Sequence, residues 1–176
     1  FNHTLMHEMS HSLGPGTIVK DGEETNVNRE LKELYPTIEE AKADTLGMYN
    51  SIYLIEKDFF DEQTRPRVYV TFMAGTFSSV RFGANEAHGK ANVMIFNYLV
   101  EKGAYVKDEK TGRFGVDMEK IDGAVRDLAH DLLMIEALGD YEAARSFIEK
   151  YGTMSPEMKA LVDAIGKAQI PVDIEP

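Results

Sequence analysis

The chain has 176 residues, 43% hydrophobic and 28% charged, which is ordinary composition for one domain with a real core. Its net charge of −11 repels phosphate backbones and disfavours nucleic acid as a partner. There is no cysteine, so disulfides and thiolate metal sites are excluded, and a metal ion would have to be held by His, Glu or Asp. No apolar run approaches the ~20 residues that cross a bilayer, so no membrane partner is expected. The lack of cysteine fits a reducing compartment, and no signal peptide is visible, which together predict a cytoplasmic protein. Phe1-Asn2-His3 reads as the inside of a helix, which predicts a segment of a longer protein.

Residues 2–13 lack proline and glycine and keep Leu5, Met6, Met9 and Leu13 apolar, which predicts a helix stopped by Gly14-Pro15-Gly16. Residues 17–26 are polar around Asp21-Gly22 and read as a loop. Asn28 is placed to cap a short helix through Leu34. From Pro36 to about Asp58, Ile38, Ala41, Thr45, Met48, Ile52, Ile55 and Phe59 recur at helical spacing, with Tyr49 and Tyr53 as a second stripe. That pattern predicts a long helix buried on much of its surface.

Residues 66–82 are ambiguous, since "RVYVTF" has strand propensity but runs on into Ala74 and Gly75. Residues 85–102 read as a helix. "AYVKDEKTGRFGVD" reads as a hairpin turning at Thr111-Gly112. Helices follow at about 117–137, 140–151 and 155–168, the last opened by Ser155-Pro156. The tail "IPVDIEP" reads as extended. Without repeats or linkers, residues 1–176 form a single, mainly α domain with one small β-hairpin.

His7-Glu8-Met9-Ser10-His11 carries the chemistry. Histidines four apart share a helix face and can meet one ion, a zinc-helix pattern. Glu8 is about 100° round the helix. It is badly placed as a ligand but well placed as general base to a metal-activated water. The competing reading is a partly exposed helix that happens to carry histidines. Of five histidines in the chain, however, His3, His7 and His11 lie on one stripe. A fourth protein ligand would close a site that catalysis needs open, so His3 is read as a packing or orienting residue.

Catalytic zinc wants a third protein ligand. Residues 12–20 hold no His, Asp or Glu. The best candidate region is "TIEEAKADTLG", where Glu40 and Asp44 are four apart and Glu39 flanks them. Acidic residues also favour the first turn of any helix, so spacing alone leaves site and ordinary helix start equally open. His88 and His130, taken alone, read as surface histidines. "RELKEL" at Arg29–Leu34 resembles part of a Nudix box. However, Pro15, Asp21 and Leu34 stand where that box needs Gly and Glu, which argues against a Nudix active site.

Taken together, His7-Glu8-x-x-His11 and Glu39-Glu40-x-Lys42-Ala43-Asp44 resemble the zinc signature pair of the dipeptidyl peptidase III family. The likeness is to a branch found in bacterial proteins and in plant proteins fused to a Nudix domain. It extends through "HSLGPG", "RELKELYPTIEEAKADTLGMYN" and "RFGANEAHGKANVMIFNYLVEKGA", roughly residues 1–105. The resemblance implies a zinc metallopeptidase acting on short peptides. His7, His11 and Glu40 would be the ligands, Glu8 the general base, Glu39 and Asp44 the acceptors orienting the imidazoles, and His88 the stabiliser of the transition state. It also implies helix for residues 66–82.

Departures from the family pattern are specific. Classical members carry one more residue between the zinc histidines, the family's second motif usually has Arg and Glu in place of Lys42 and Asp44, and classical members tend to have Arg in place of Asn92. These changes bear on dipeptide release more than on the metal. The family's second, N-terminal lobe supplies strand edges and a catalytic tyrosine, and it is the expected partner within a longer chain. Little peptidase activity is expected of these residues alone. The alternative reading is a degenerate zinc-binding domain that regulates or docks beside a Nudix-type hydrolase.

Overall fold

The computed structural model describes residues 2–80 and 83–168. It is mainly α, with two small antiparallel strand pairs. Helix α1 (Asn2–Ser10) leads into β1 (Thr17–Lys20) and β2 (Glu23–Asn26). Residues 17–26, expected as a loop, are thus a hairpin in register Thr17 to Asn26 through Lys20 to Glu23. Asp21 and Gly22 both take positive φ, at 55° and 85°, the backbone that two-residue hairpin turns require. Ile18 anchors the pair in the core.

α2 (Val27–Leu31) is capped by the Asn26 side chain, which accepts from the Arg29 amide, rather than by Asn28. A single 3-10 turn, Lys32–Leu34, joins it to α3 (Tyr35–Glu56), the central helix. Ile38, Ala41, Thr45, Met48, Ile52 and Ile55 are buried as their spacing predicts. Phe59 lies past the helix end and is exposed, and Tyr49 and Tyr53 also face outward.

The ambiguous stretch is helical over its described part, α4 (Arg65–Val80), with residues 81 and 82 outside the described residues, and is followed by α5 (Ala87–Glu101). β3 (Tyr105–Lys107) and β4 (Phe114–Val116) form the expected hairpin. α6 (Ile121–Leu138), α7 (Tyr141–Tyr151) and α8 (Pro156–Lys167) follow, with Ser155 capping α8 as expected. The tail at 170–176, expected as extended, lies outside the described residues.

α3 is the hub and touches α1, α4, α5 and α6. Its core-facing residues meet Ala91, Met94, Ile95 and Leu99 of α5 and Val125, Leu128 and Leu132 of α6. A buried tyrosine pins α4 to α6: Tyr69 donates to the Asp122 carboxylate, which Arg65 also pairs at 3.0 Å. No helix among the described residues is long and apolar enough to cross a membrane.

Candidate metal centre

α1 lies along the N-terminal half of α3, so the two motifs meet across one helix–helix contact. His7 is buried, and its Nδ1 stands 2.7 Å from Asp44 Oδ1. His11 Nδ1 stands 2.8 Å from Glu39 Oε1. A carboxylate can only accept, so each Nδ1 is the donor, and in a neutral imidazole this leaves Nε2 as the acceptor nitrogen.

Those two nitrogens converge. His7 Nε2 is 3.2 Å from His11 Nε2 and 3.5 Å from Glu40 Oε2. Two acceptor nitrogens cannot hydrogen-bond each other, whereas a cation between them would satisfy both. Donors about 2.05 Å from a shared tetrahedral ion stand about 3.3 Å from one another, which matches both spacings. Among the described residues His7, His11 and Glu40 are the one group whose donor atoms could meet a single metal ion, all within 4.8 Å.

The acceptors behind the imidazoles are themselves fixed. Asp44 Oδ1 also accepts from His3 Nε2 at 3.3 Å, and its Oδ2 accepts from Asn92 Nδ2 at 3.1 Å. Burial would push the Asp44 carboxyl up, but hydrogen bonds from His3 and His7 outweigh it and hold the group well below the usual carboxylate range. The same hydrogen bond to Asp44 raises the His7 pKa, against the opposing effect of its burial. His3 thus orients Asp44, and its ring packs edge-on against Phe72 at 4.9 Å.

Glu39 is held from the other side by Lys42, whose Nζ lies 2.8 Å away. Lys42 also donates to the Leu13 carbonyl at 2.9 Å, tying α3 to the turn after α1. Its Nζ is 3.5 Å from Glu136 of α6, which is fully buried. Burial pushes the Glu136 carboxyl up to about 8, although Lys42 pulls the other way.

His88 sits at the start of α5. The 83–86 turn folds onto that helix so closely that a Cβ on Gly89 would stand 2.1 Å from the Gly83 carbonyl, so only glycine fits. His88 Nδ1 is 2.9 Å from Glu40 Oε2, and its ring centroid is 5.5 Å from that of His7. His88 is exposed, but it stands beside the cluster rather than apart from it. Glu8 is exposed too, and with His7, Asp44 and His88 it lines a cavity of about 660 Å³.

His130 is on the surface, as its isolation in sequence predicts. Within "RELKEL", Glu30 accepts from Thr25 and Glu33 from Tyr141, so both acids are engaged in holding the fold. Sequence reasoning missed Asn92 and Glu136 as parts of the site. Asn92 had one readable signal, since it lies one turn after His88. Glu136 had none, because only the folded chain brings α6 behind Lys42.

No protein-family model matches the chain. The sequence is 43% identical to Nudix hydrolase 3 of Arabidopsis thaliana, over all of this chain but 23% of that protein. The structure superposes on dipeptidyl peptidase III from Caldithrix abyssi with TM-score 0.95 at 52% identity, covering 99% of this chain and 33% of that one. For dipeptidyl-peptidase III from Corallococcus sp. strain EGB the TM-score is 0.93 at 36% identity, covering 100% and 32%. The chain thus spans about a quarter of the curated relative and about a third of each enzyme structure. In fold and in sequence this chain is dipeptidyl peptidase III-like.

Proposed function

We propose that the chain is the zinc lobe of a metallopeptidase that hydrolyses short peptides. One observation carries the reading: two imidazoles are turned by Asp44 and Glu39 so that their Nε2 atoms converge beside the Glu40 carboxylate. That donor set suits zinc, with His7, His11 and Glu40 as ligands and a fourth position left for chemistry. Zinc, when bound, supplies Lewis acidity that acidifies a water and polarises a carbonyl.

The chain's own residues do the rest. Glu8 takes the proton of the attacking water on its carboxylate and hands it to the departing amine nitrogen. His88 keeps its Nδ1–H on Glu40. From there it is placed to stabilise the carbonyl oxygen as charge develops. Asp44, His3 and Asn92 hold the His7 ring, and Glu39 and Lys42 hold that of His11, so little reorganisation accompanies the reaction.

The likeness to Nudix hydrolase 3 favours a second reading, in which the zinc site persists but serves an attached hydrolase. One experiment separates the two. The longer protein carrying this chain is assayed on dipeptidyl-arylamides, as wild type and as Glu8→Gln, with zinc measured in both. Peptidase action predicts cleavage by the wild type and a loss of about 10²-fold or more in Glu8→Gln at unchanged zinc. Zinc-loaded protein that cleaves nothing, and a Glu8→Gln variant indistinguishable from it, sinks the peptidase reading. The 176-residue chain alone is expected to bind zinc and to cleave little.

A further inference from the structure

The cavity beside Glu8 and His88 does not end at the cluster. It continues between α1 and α4, where Asn2, Thr4 and Glu8 line one wall. The other wall is a stripe of α4 residues four apart, Arg67, Thr71, Gly75 and Ser79. Four-residue spacing puts these on one helix face. Three of the four are small, and a Cβ on Gly75 would meet nothing within 4 Å, so the middle of the wall opens onto the groove.

The stripe is directional. The contact of His3 with Phe72 places the start of α1 beside the middle of α4. His88 follows the C-terminal end of α4, so Ser79 lies toward His88 and Arg67 lies away from it. From Arg67 to Ser79 is about 18 Å along the helix axis, the span of about five extended residues.

Arg67 is set apart chemically as well. Its neighbour Arg65 is engaged by Glu62, Glu56 and Asp122, whereas Arg67 makes no ion pair among the described residues. It is exposed on the rim of the cavity, in a chain of net charge −11 that otherwise repels anions. A single free guanidinium at the end of a groove of small residues is suited to a carboxylate, which it can bind through two parallel hydrogen bonds.

We propose that the α1–α4 groove holds an extended peptide segment and that Arg67 selects a carboxylate on it, several residues from Glu8 and His88. The inference rests on the peptidase reading for the direction in which the peptide lies. The carboxylate is either the free C-terminus or an Asp or Glu side chain, and the choice of peptides distinguishes these.

The test is binding rather than turnover, on the zinc-loaded longer protein that carries this chain, by titration with fluorescently labelled pentapeptides under conditions too brief for cleavage. Three peptides are compared: free acid with a neutral sequence, its C-terminal amide, and the amide with one Asp. The expected result is about tenfold tighter binding of a carboxylate-bearing peptide than of the neutral amide, the worth of a charge-assisted hydrogen bond. Preference for the free acid identifies the C-terminus, and preference for the Asp amide identifies a side chain. Arg67→Gln should erase the difference, and Gly75→Leu should weaken all three at unchanged zinc content. Equal binding by wild type and Arg67→Gln overturns the proposal, as does failure of every peptide to bind. Loss of cleavage in Glu8→Gln with intact Arg67-dependent binding separates this inference from the catalytic one.

Discussion

Gly47 of α3 lies against α1 so closely that a Cβ there would stand 3.1 Å from the His7 backbone nitrogen and 3.2 Å from the His3 ring. The close approach brings the two motifs into register. It lets Asp44, one turn earlier on α3, reach His7 and His3 together. In a helix interior Gly costs about 1 kcal/mol relative to Ala, so a glycine here serves the contact and not the helix.

Gly47→Ala therefore sets propensity against packing. The new methyl must push back a backbone atom as well as the His3 ring. The expected outcome is no gain in Tm from the roughly 1 kcal/mol of propensity, together with zinc affinity reduced several-fold; Gly47→Val should lose more of both. Thermal unfolding with and without zinc, alongside chelator competition, checks this. A Gly47→Ala variant that is more stable and binds zinc as the wild type does refutes the role.

Asp44→Asn keeps the volume but not the charge that three donors converge on, from His3, His7 and Asn92. Partners behind a metal-bound imidazole are worth about 10–100-fold in metal affinity. Asp44→Asn should lose that much, and Glu39→Gln, which loosens His11, should fall within the same range. Competition with a chromophoric chelator at pH 7 reads both. Unchanged affinity in either variant would mean that its imidazole is oriented by packing alone.

Glu136 predicts a dependence of stability on pH. Its carboxyl is pushed by burial to about 8, from an ordinary value of 4.5. Between those values the folded chain holds a proton that the unfolded chain has released, so raising the pH favours unfolding. The loss accumulates from about pH 4.5 to pH 8 and is complete above it. Glu136→Gln removes this contribution, so its stability relative to wild type should be greater at pH 8 than at pH 5. Urea denaturation at the two pH values measures the difference. The same relative stability at both would place the Glu136 carboxyl in its ordinary range.

The legible parts of the fold were those set by local periodicity. Ile38 through Ile55 marked α3, and Ser155-Pro156 marked the start of α8. Phe59 continued the spacing but fell beyond the helix end, where periodicity no longer describes the chain. Val68, Tyr69, Val70 and Phe72 favour strand by propensity, yet they lie in α4, where Tyr69 and Phe72 are buried. Tertiary packing overrides a weak local preference there. The 17–26 hairpin was obscured because its strands are short and polar, and only the Asp21-Gly22 pair betrayed the turn.

At the site, one motif was legible by itself. His7 and His11 are one helical turn apart, so helical geometry alone predicts that they meet. Glu40 is 29 residues further on, and no local rule joins it to His11; the family resemblance drew it in, and the fold brings it within 3.5 Å of His7. The supports from Lys42, Asn92 and Glu136 depend on where α3, α5 and α6 cross. Sequence spacing carries no trace of such crossings.

The central claim is that His7, His11 and Glu40 together hold a metal ion. Its most direct test is the zinc content of the purified chain after dialysis, measured by elemental analysis for the wild type, His7→Ala/His11→Ala and Glu40→Gln. The prediction is about one zinc per chain in the wild type, as expected for one three-ligand site. The double variant should hold none, and Glu40→Gln should lose its zinc to a chelator that leaves the wild type loaded. Equal zinc in the wild type and the double variant, or none in either, would contradict it.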